Sequence, residues 1–301
     1  GVNFITYDAR LFDSRIVLGR MVTRGAVQQT VTKECRSDAP HSWEVEVAFA
    51  NRVAELQKKG GLKGLVVPVW IDPFRKLISF KQCQLAGKLA PTFDAHLRDS
   101  PKLKEKVSIW CQSADILVDL HTNGLIHGDF CSSQICITDE GPILLDLESM
   151  MECQKDIYLQ LTGSGEVRVS QFVGNHILRR FTRDGYYDWT QVAKHYSNEP
   201  DLFRIRSSVA RQAETRAFAT NMLEHLAGTD VYSDTSAMIE KIRSRHRSYF
   251  DAQQNQEKEV LKVLTDLIVL LLGLKTIHFR ENPNFTKTVK TLHMLCDQLP
   301  S

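Results

Sequence analysis

Apolar and polar positions alternate along much of the first 80 residues of the chain. The segments 14–22 (SRIVLGRMV) and 26–35 (AVQQTVTKEC) change character at about every second residue, which predicts two neighbouring β-strands. Residues 42–60 have helical spacing and end at a pair of glycines, a common helix stop signal. Two more strands are predicted at 64–72 and 76–84, around the turn DPFRK. The predicted order is therefore strand, strand, helix, strand, strand.

Helical spacing dominates the chain from about Ser100 onward. Residues 102–124 predict a long amphipathic helix that stops at Asn123 and Gly124. Residues 150–210 lack sustained periodicity, and we expect a long irregular segment with short helices there. Further helices are predicted at 211–228, 233–253, 256–275 and 286–299.

This change of character predicts an α+β protein with two lobes. We expect a small β-rich N-terminal lobe at residues 1–86 and a helical C-terminal lobe at residues 87–301, with the joint near Leu85 to Leu89. A chain of 301 residues with 43% hydrophobic content is long and apolar enough to form both lobes of one bilobal domain.

Composition argues against several classes of partner. Lys and Arg (38) nearly balance Asp and Glu (36), and a net charge of +2 gives no overall field that would attract nucleic acid or an anionic membrane. The basic segment 241–247 (KIRSRHR) is interpreted as a solvated helix face. The longest apolar run, 267–274, is far shorter than the roughly 20 residues of a membrane span, so we expect a buried helix and no transmembrane segment. The seven cysteines form no CxxC pair, which argues against a structural zinc site or a dense disulfide framework.

Candidate chemistry is concentrated in residues 124–149, GLIHGDFCSSQICITDEGPILLDLES. Two short apolar strands are predicted here, joined by the turn TDEG. Asp129 precedes the first strand and Asp146 follows the second, 17 residues later. Phosphoryl transfer depends on fixing cations and the nucleophile around a phosphate, and carboxylates at both places are suited to that chemistry.

The order of elements and this stretch resemble the protein-kinase-like fold. The resemblance implies that Asp129 is the catalytic-loop aspartate, which orients an acceptor hydroxyl, and that Asp146 binds magnesium at the nucleotide phosphates. Gln134 stands where the family has a metal-binding asparagine. In the N-terminal lobe, Lys33 matches the family's strand lysine and Glu46 its helix partner, and these two would form an ion pair beside the nucleotide.

The departures from the family pattern concern one metal position, the residues after the second aspartate and the phosphate-binding loop. Gln134 is one methylene longer than asparagine and misplaces its carbonyl, which weakens one metal position. Glu148, two residues after Asp146, replaces a glycine and adds negative charge. The glycine loop that covers the phosphates is absent, because only Gly19 and Gly25 remain of it. The catalytic, nucleotide and metal positions are therefore expected to be vestigial.

Further features narrow the resemblance within the superfamily. Gly128 and Cys131 replace the arginine and lysine of the family's catalytic loop. Residues 213–228 (AETRAFATNMLEHLAG) look like a family helix, with Glu214 in place of the aspartate that anchors this loop. The GLIHGDF loop with Gly128 in place of arginine, the helix ADILVDLHTNG before it and the broken glycine loop are similar to the rhoptry-kinase-like proteins that apicomplexan parasites secrete, in the divergent branch that lacks the glycine loop. The resemblance implies secretion into the parasitophorous vacuole or the cyst wall.

Four hypotheses for the function follow. The first is a secreted pseudokinase, a protein-binding scaffold or regulator with no cofactor, little or no phosphotransfer, and a protein partner that the sequence does not identify. An alternative is an active Ser/Thr protein kinase with unconventional ATP binding and with ATP and magnesium as cofactors. A second alternative is a small-molecule phosphotransferase of the aminoglycoside or choline kinase type, which also uses an H-G-D loop. In the last hypothesis, HGD and DLE are ordinary turn and strand-end residues.

Overall fold

A computed structural model describes most of the chain. The described residues are 2–11, 16–23, 26–34, 40–98, 102–147, 150–152, 157–161, 167–169, 202–205, 207–228, 234–275 and 284–301. Within them the protein is a mixed α+β structure, with an antiparallel sheet in its N-terminal part and a helical C-terminal part.

The N-terminal part is built on a five-stranded antiparallel sheet of order β1-β2-β3-β5-β4. Its strands are β1 (Val2–Leu11), β2 (Ile16–Thr23), β3 (Ala26–Glu34), β4 (Pro68–Asp72) and β5 (Leu77–Lys81), and helix α1 (Pro40–Lys58) follows β3. The predicted order of strands and helix is confirmed from β2 to β5. Strand β1, at the edge of the sheet, was not predicted.

The sheet and α1 share one apolar core. Ala50 and Val53 of α1 are fully buried and belong to the same cluster as Ile78 and Phe80 of β5. The predicted turn DPFRK joins β4 to β5, and Asp72 Oδ1 accepts hydrogen bonds from the first two free backbone N–H groups of that turn at 2.9 and 3.1 Å. This capping fits the preference of aspartate for turn positions.

A small hairpin links the sheet to the helical part. It consists of β6 (Gln84–Leu85) and β7 (Lys88–Leu89), and the predicted boundary between residues 86 and 87 lies in its turn. Helices α2 (Phe93–Arg98) and α3 (Leu103–Thr122) follow. Four short strands then pair as β8 with β11 and β9 with β10; they are β8 (Leu125–Ile126), β9 (Ile135–Thr138), β10 (Gly141–Leu144) and β11 (Met151–Glu152). The two strands predicted around TDEG are thus confirmed as β9 and β10.

The C-terminal part consists of helices that the sequence largely predicts. They are α4 (Ser207–Ala227), α5 (Thr235–Arg245), α6 (Arg247–Ala252), α7 (Glu257–Lys275) and α8 (Phe285–Gln298). The segment predicted as a single helix at 233–253 is divided at His246, which ends α5 and precedes α6. The apolar run 267–274 lies inside α7, where Leu267, Ile268 and Leu271 are fully buried, as expected. No helix among the described residues has the length and apolar character to cross a membrane.

The described residues of the segment 150–210 contain strands that were not predicted. They include a three-stranded antiparallel sheet of order β13-β12-β14, made of β12 (Ile157–Leu161), β13 (Val167–Val169) and β14 (Leu202–Ile205). Strands of three to five residues are too short for a convincing period-two pattern, which is why periodicity missed them. Residues 170–201 lie outside the described part of the chain.

Candidate functional site

Three charged residues from distant parts of the sequence are in contact beside strand β3 of the N-terminal sheet. Lys33 Nζ on β3 lies 3.2 Å from Glu46 Oε1 on α1 and 2.9 Å from Asp146 Oδ1, just after β10. The side chain of Glu46 is 2% exposed, whereas those of Lys33 and Asp146 are 18% and 24% exposed. The ammonium group of Lys33 therefore connects the sheet, α1 and the segment after β10. It lies at a position that solvent partly reaches.

The backbone of each element positions these side chains. Lys33 pairs with Ile78 of β5 and with Ile16 of β2, so its strand is held on both sides. Asp146 has φ of +56°, a left-handed conformation that aspartate and asparagine adopt more readily than other non-glycine residues. This turn directs the chain out of β10 as it passes Lys33.

Strand β10 is fixed against the segment that follows α1. Leu144 N donates to Gly64 O at 2.7 Å and Val66 N donates to Leu144 O at 3.0 Å. Gly64 has φ of +71°, and a Cβ atom there would lie 2.6 Å from Cγ1 and Cδ1 of Ile116 on α3. The absence of a side chain at Gly64 therefore lets α3 pack against the segment that holds Leu144, two residues before Asp146.

The loop that carries Asp129 is held by a buried histidine. His127 is fully buried, and its Nε2 donates to Leu145 O at 2.6 Å. Its Nδ1 accepts from Asp129 N at 3.3 Å. A neutral imidazole with its proton on Nε2 satisfies both contacts. His127 therefore links the backbone before Asp129 to the backbone before Asp146.

Glu214 anchors the same loop from the helical part. Its carboxylate is 2% exposed; Oε1 accepts from Gly128 N at 2.9 Å and Oε2 accepts from His121 Nε2 at 2.8 Å. The sequence predicted that Glu214 would hold this loop, and the backbone contact at Gly128 is the geometry that such an anchor requires. The contribution of His121, at the last turn of α3, was not predicted.

The side chain of Gln134 is turned toward Asp129. Gln134 Nε2 donates to Asp129 Oδ2 at 3.2 Å, and Gln134 O accepts from Leu145 N at 2.7 Å. The amide therefore presents hydrogen, not oxygen, to the neighbouring carboxylate. Among the described residues no group of three or more His, Cys, Asp or Glu side chains is arranged to hold a metal ion.

The described part of the expected phosphate loop, residues 19–23, lies in strand β2. Gly19 lies within β2 and pairs with Tyr7 of β1 and Thr30 of β3. Its backbone is thus part of a continuous ladder, and such a strand does not form the open turn of N–H groups that cradles phosphates. Gly25 and Glu148, which the sequence interpretation also used, lie outside the described residues.

Several contacts near the site could not be predicted from the sequence. Arg52 of α1 forms an ion pair with Glu152 of β11, the strand that follows Asp146 and Leu147 along the chain. The pairing partner of β11 is β8, which leads into the His127 loop. Because Arg52 and Glu152 are 100 residues apart, only the tertiary fold identifies them as partners.

A second cluster of titratable side chains lies between helices of the C-terminal part. Lys106 is 3% exposed and His246 is 7% exposed, and the positive charge of Arg245 acts on both. Burial lowers the pKa of Lys106 to about 8, with help from Arg245. Burial also lowers the pKa of His246 to about 4, and Lys106 and Arg245 add to the shift. The expectation of a solvated face at 241–247 was therefore wrong for His246, although Lys241 and Arg243 are exposed.

Comparison with known proteins adds no family assignment. No protein-family model matches the chain, and no curated protein matches it in sequence. The resemblance to protein kinases therefore stays a prediction, which depends on the motifs and on the geometry described above.

Proposed function

We propose that the protein is a pseudokinase, a protein-binding scaffold or regulator built on a bilobal protein-kinase-like fold. The observation that carries this proposal is the contact of Lys33 with both Glu46 and Asp146 at 3.2 and 2.9 Å. In the protein-kinase-like fold, a lysine on the third strand pairs with a helix glutamate close to the metal-binding aspartate. The same three residue types meet here from the matching elements.

The neighbouring groups support loss of phosphotransfer. Asp129, the proposed acceptor-orienting carboxylate, accepts a hydrogen bond from Gln134, whose amide would have to turn to offer oxygen to a cation. Gly19 belongs to a continuous strand. Because each tenfold loss of rate corresponds to about 1.4 kcal/mol of transition-state stabilisation, two or three such defects are enough to remove useful turnover. Asp129, Lys33, Glu46, Asp146 and Gln134 are then remnants that stabilise the cleft.

The proposed role is to bind another protein. A kinase-like cleft that has lost its cofactor retains two coupled parts whose surfaces can recruit a partner, and we place that surface on the helical part or on the segment 150–210. By the resemblance, the chain belongs with the rhoptry-kinase-like proteins and acts after secretion, in the parasitophorous vacuole or the cyst wall. No nucleic acid and no cofactor are part of this proposal.

One observation favours a second candidate, an active Ser/Thr kinase. The Lys33–Glu46–Asp146 cluster retains the charges that orient ATP phosphates in active kinases. This candidate requires ATP and magnesium to bind without a glycine loop and with Gln134 turned away from its contact with Asp129.

Measurements of phosphotransfer and of partner binding distinguish the pseudokinase from the active kinase. The purified chain, Asp129→Asn and Asp251→Asn are incubated with magnesium, labelled ATP and generic protein acceptors. Asp251 is an exposed residue of α6 and serves as the matched control. The proposal predicts the same background label in all three proteins. Incorporation that Asp129→Asn abolishes and Asp251→Asn retains would establish the kinase instead. Once a partner is identified by crosslinking, the proposal further predicts that folded Asp129→Asn binds it with unchanged affinity.

A further inference from the structure

Two cysteines meet where the link between the sheet and the helical part packs on the β9–β10 hairpin. Cys83 O accepts from Ala90 N at 2.9 Å, and the Cys136 thiol lies 3.9 Å from Ala90 O. Cys136, on β9, also forms an isolated antiparallel bridge with Thr92. Ala90 is thus flanked by both cysteines, and their thiols lie close enough for each to shift the pKa of the other, although 53 residues separate them in the sequence.

A second pair of cysteines lies between α3 and α8. Asp115 Oδ2 and His293 Nε2 are 2.9 Å apart across these helices. Cys111 lies one turn before Asp115 on α3, and Cys296 lies about one turn after His293 on α8, so antiparallel packing brings the two cysteines to the same level. Both are buried, and their thiols lie close enough across the interface for each to shift the pKa of the other.

We propose that oxidation joins Cys83 to Cys136 and Cys111 to Cys296 as two disulfide bonds. The five cysteines whose side chains the structure describes as free thiols are Cys83, Cys111, Cys131, Cys136 and Cys296. Four of them fall into these two pairs, and the fifth, Cys131, hydrogen-bonds to Ser133 Oγ at 3.1 Å instead. The inference does not depend on the proposed function.

The two thiols of the first pair are not equivalent. The interaction between the two thiols lowers the pKa of Cys83 and raises the pKa of Cys136. Burial raises the pKa of Cys136 further. Cys83 is also the more accessible of the two, since Cys136 is 6% exposed. The thiolate is the reactive form of cysteine, so Cys83 is the attacking group and Cys136 the resolving thiol.

A disulfide oxidant such as oxidised glutathione accepts the two electrons that the protein thiols lose. The Cys83 thiolate attacks one sulfur of the oxidant, forms a mixed disulfide and releases one glutathione thiolate, which takes up a proton. Cys136, as its thiolate, then attacks the Cys83 sulfur and releases the second glutathione. Two protein thiols are oxidised by two electrons, and one oxidised glutathione is reduced to two thiols. The buried pair Cys111 and Cys296 follows the same scheme while the chain folds, before the helix interface closes.

These bonds would fix two long connections. Joining Cys83 to Cys136 ties the link after β5 to the hairpin whose second strand leads to Asp146. Joining Cys111 to Cys296 ties α3 to α8, which are 185 positions apart in the sequence at these residues. A disulfide mainly restricts the unfolded chain, and the restriction grows with the length of the closed loop.

The pairing is tested on the whole chain after folding in a glutathione redox buffer. Free thiols are blocked with an alkylating reagent, the protein is digested without reductant, and disulfide-linked peptides are identified by mass spectrometry. We expect peptides that link Cys83 to Cys136 and Cys111 to Cys296, each with a loss of about 2 Da relative to the reduced pair. Alkylation of any of these four cysteines in the folded, oxidised protein, or linkage to a different cysteine, would overturn the proposal.

A thermal measurement gives a second readout that needs no interpretation of peptides. Dithiothreitol should lower the Tm of the oxidised chain by about 5 °C or more. In Cys83→Ser the effect of the reductant should become smaller, while in Cys131→Ser, the matched control, it should be unchanged. Equal Tm values for oxidised and reduced protein would contradict the proposal even if a variant failed to fold.

Discussion

Lys33 Nζ lies 2.9 Å from Asp146 Oδ1, although 113 residues separate them in the sequence. The contact joins the third strand of the N-terminal sheet to the chain just after β10, and Glu46 completes the cluster at 3.2 Å from the same nitrogen. Because Glu46 is almost completely buried, the ammonium group of Lys33 balances a charge that water does not reach.

The ion pair of Lys33 and Glu46 should be energetically coupled. Lys33→Met leaves the Glu46 carboxylate buried without this cation, and we expect a loss of about 2–3 kcal/mol in the free energy of unfolding. Glu46→Gln should lower the free energy of unfolding by less. The double variant should lose about 1–2 kcal/mol less than the sum of the two single losses. Urea denaturation of the four proteins measures this coupling. Additive losses would show that the contact contributes nothing to stability.

Glu214 should be among the most sensitive polar positions in the protein. Glu214→Ala removes the buried acceptor of two partly buried donors, Gly128 N–H and His121 Nε2–H, and should cost about 3 kcal/mol. Glu240→Ala, on the exposed side of α5, is the control and should change stability by no more than about 0.5 kcal/mol. Chemical denaturation compares them, and equal midpoints would show that Glu214 does not anchor the loop.

Two glycines with nearly the same backbone angle allow a matched test of packing. Gly64 and Gly87 have φ of +71° and +74°, but a Cβ at Gly64 would lie 2.6 Å from Ile116, whereas at Gly87 no atom lies within 4 Å. Gly87→Ala should cost about 1 kcal/mol for the backbone conformation alone. Gly64→Ala should cost about 1–3 kcal/mol more, because Ile116 must move. Similar Tm values for the two variants would show that α3 adapts without cost.

Lys106 and His246 should make stability depend on pH on both sides of neutrality. The pKa of His246 falls from 6.5 to about 4, so between these pH values the unfolded chain binds more protons and the free energy of unfolding decreases as the pH falls, by about 3 kcal/mol in total. The pKa of Lys106 falls from 10.5 to about 8, so stability should rise between about pH 8 and 10.5, where only the unfolded chain keeps the proton.

Lys106→Met separates these two effects. The variant should be more stable than the parent at pH 7, because it removes a buried charge, and this gain should disappear above about pH 10.5. Because Lys106 helps to lower the pKa of His246, the variant should also lose less stability between pH 6.5 and 4, and His246→Gln should abolish this loss. Unfolding by urea across this pH range is the measurement, and a destabilised Lys106→Met at pH 7 would show that a structural contact of the ammonium group matters more than its burial.

Much of the fold was predictable because helices longer than ten residues leave a clear apolar period. Helices α3, α4, α7 and α8 follow that period, and so do strands β2 to β5. The short strands β12 to β14 were missed because a few alternating residues are not distinctive, whereas strand β1 has ten residues and was simply not identified. His246 was misjudged because its neighbours are basic and exposed, and only tertiary packing buries it.

The sequence identified candidate residues of the site but not the hydrogen bonds and ion pairs between them. The resemblance to protein kinases selected Lys33, Glu46, Asp129, Asp146 and Glu214 from the sequence, and the structure brings the first two together with Asp146. The hydrogen bond from Gln134 to Asp129, the support of Glu214 by His121 and the ion pair of Arg52 with Glu152 depend on side-chain orientation across 5 to 100 residues of sequence. No local pattern encodes such contacts.

Binding of ATP is the most direct test of the central claim, that the cleft around Lys33 and Asp146 no longer holds a nucleotide. The Tm of the purified chain is measured with and without millimolar ATP and magnesium, beside Lys33→Met and Asp146→Asn. A ligand at 100 times its Kd would stabilise the fold by about 2.7 kcal/mol, which is a shift of several degrees. The account predicts a shift of less than about 1 °C in all three proteins. A shift of several degrees in the parent chain that requires magnesium and is lost in both variants would contradict it.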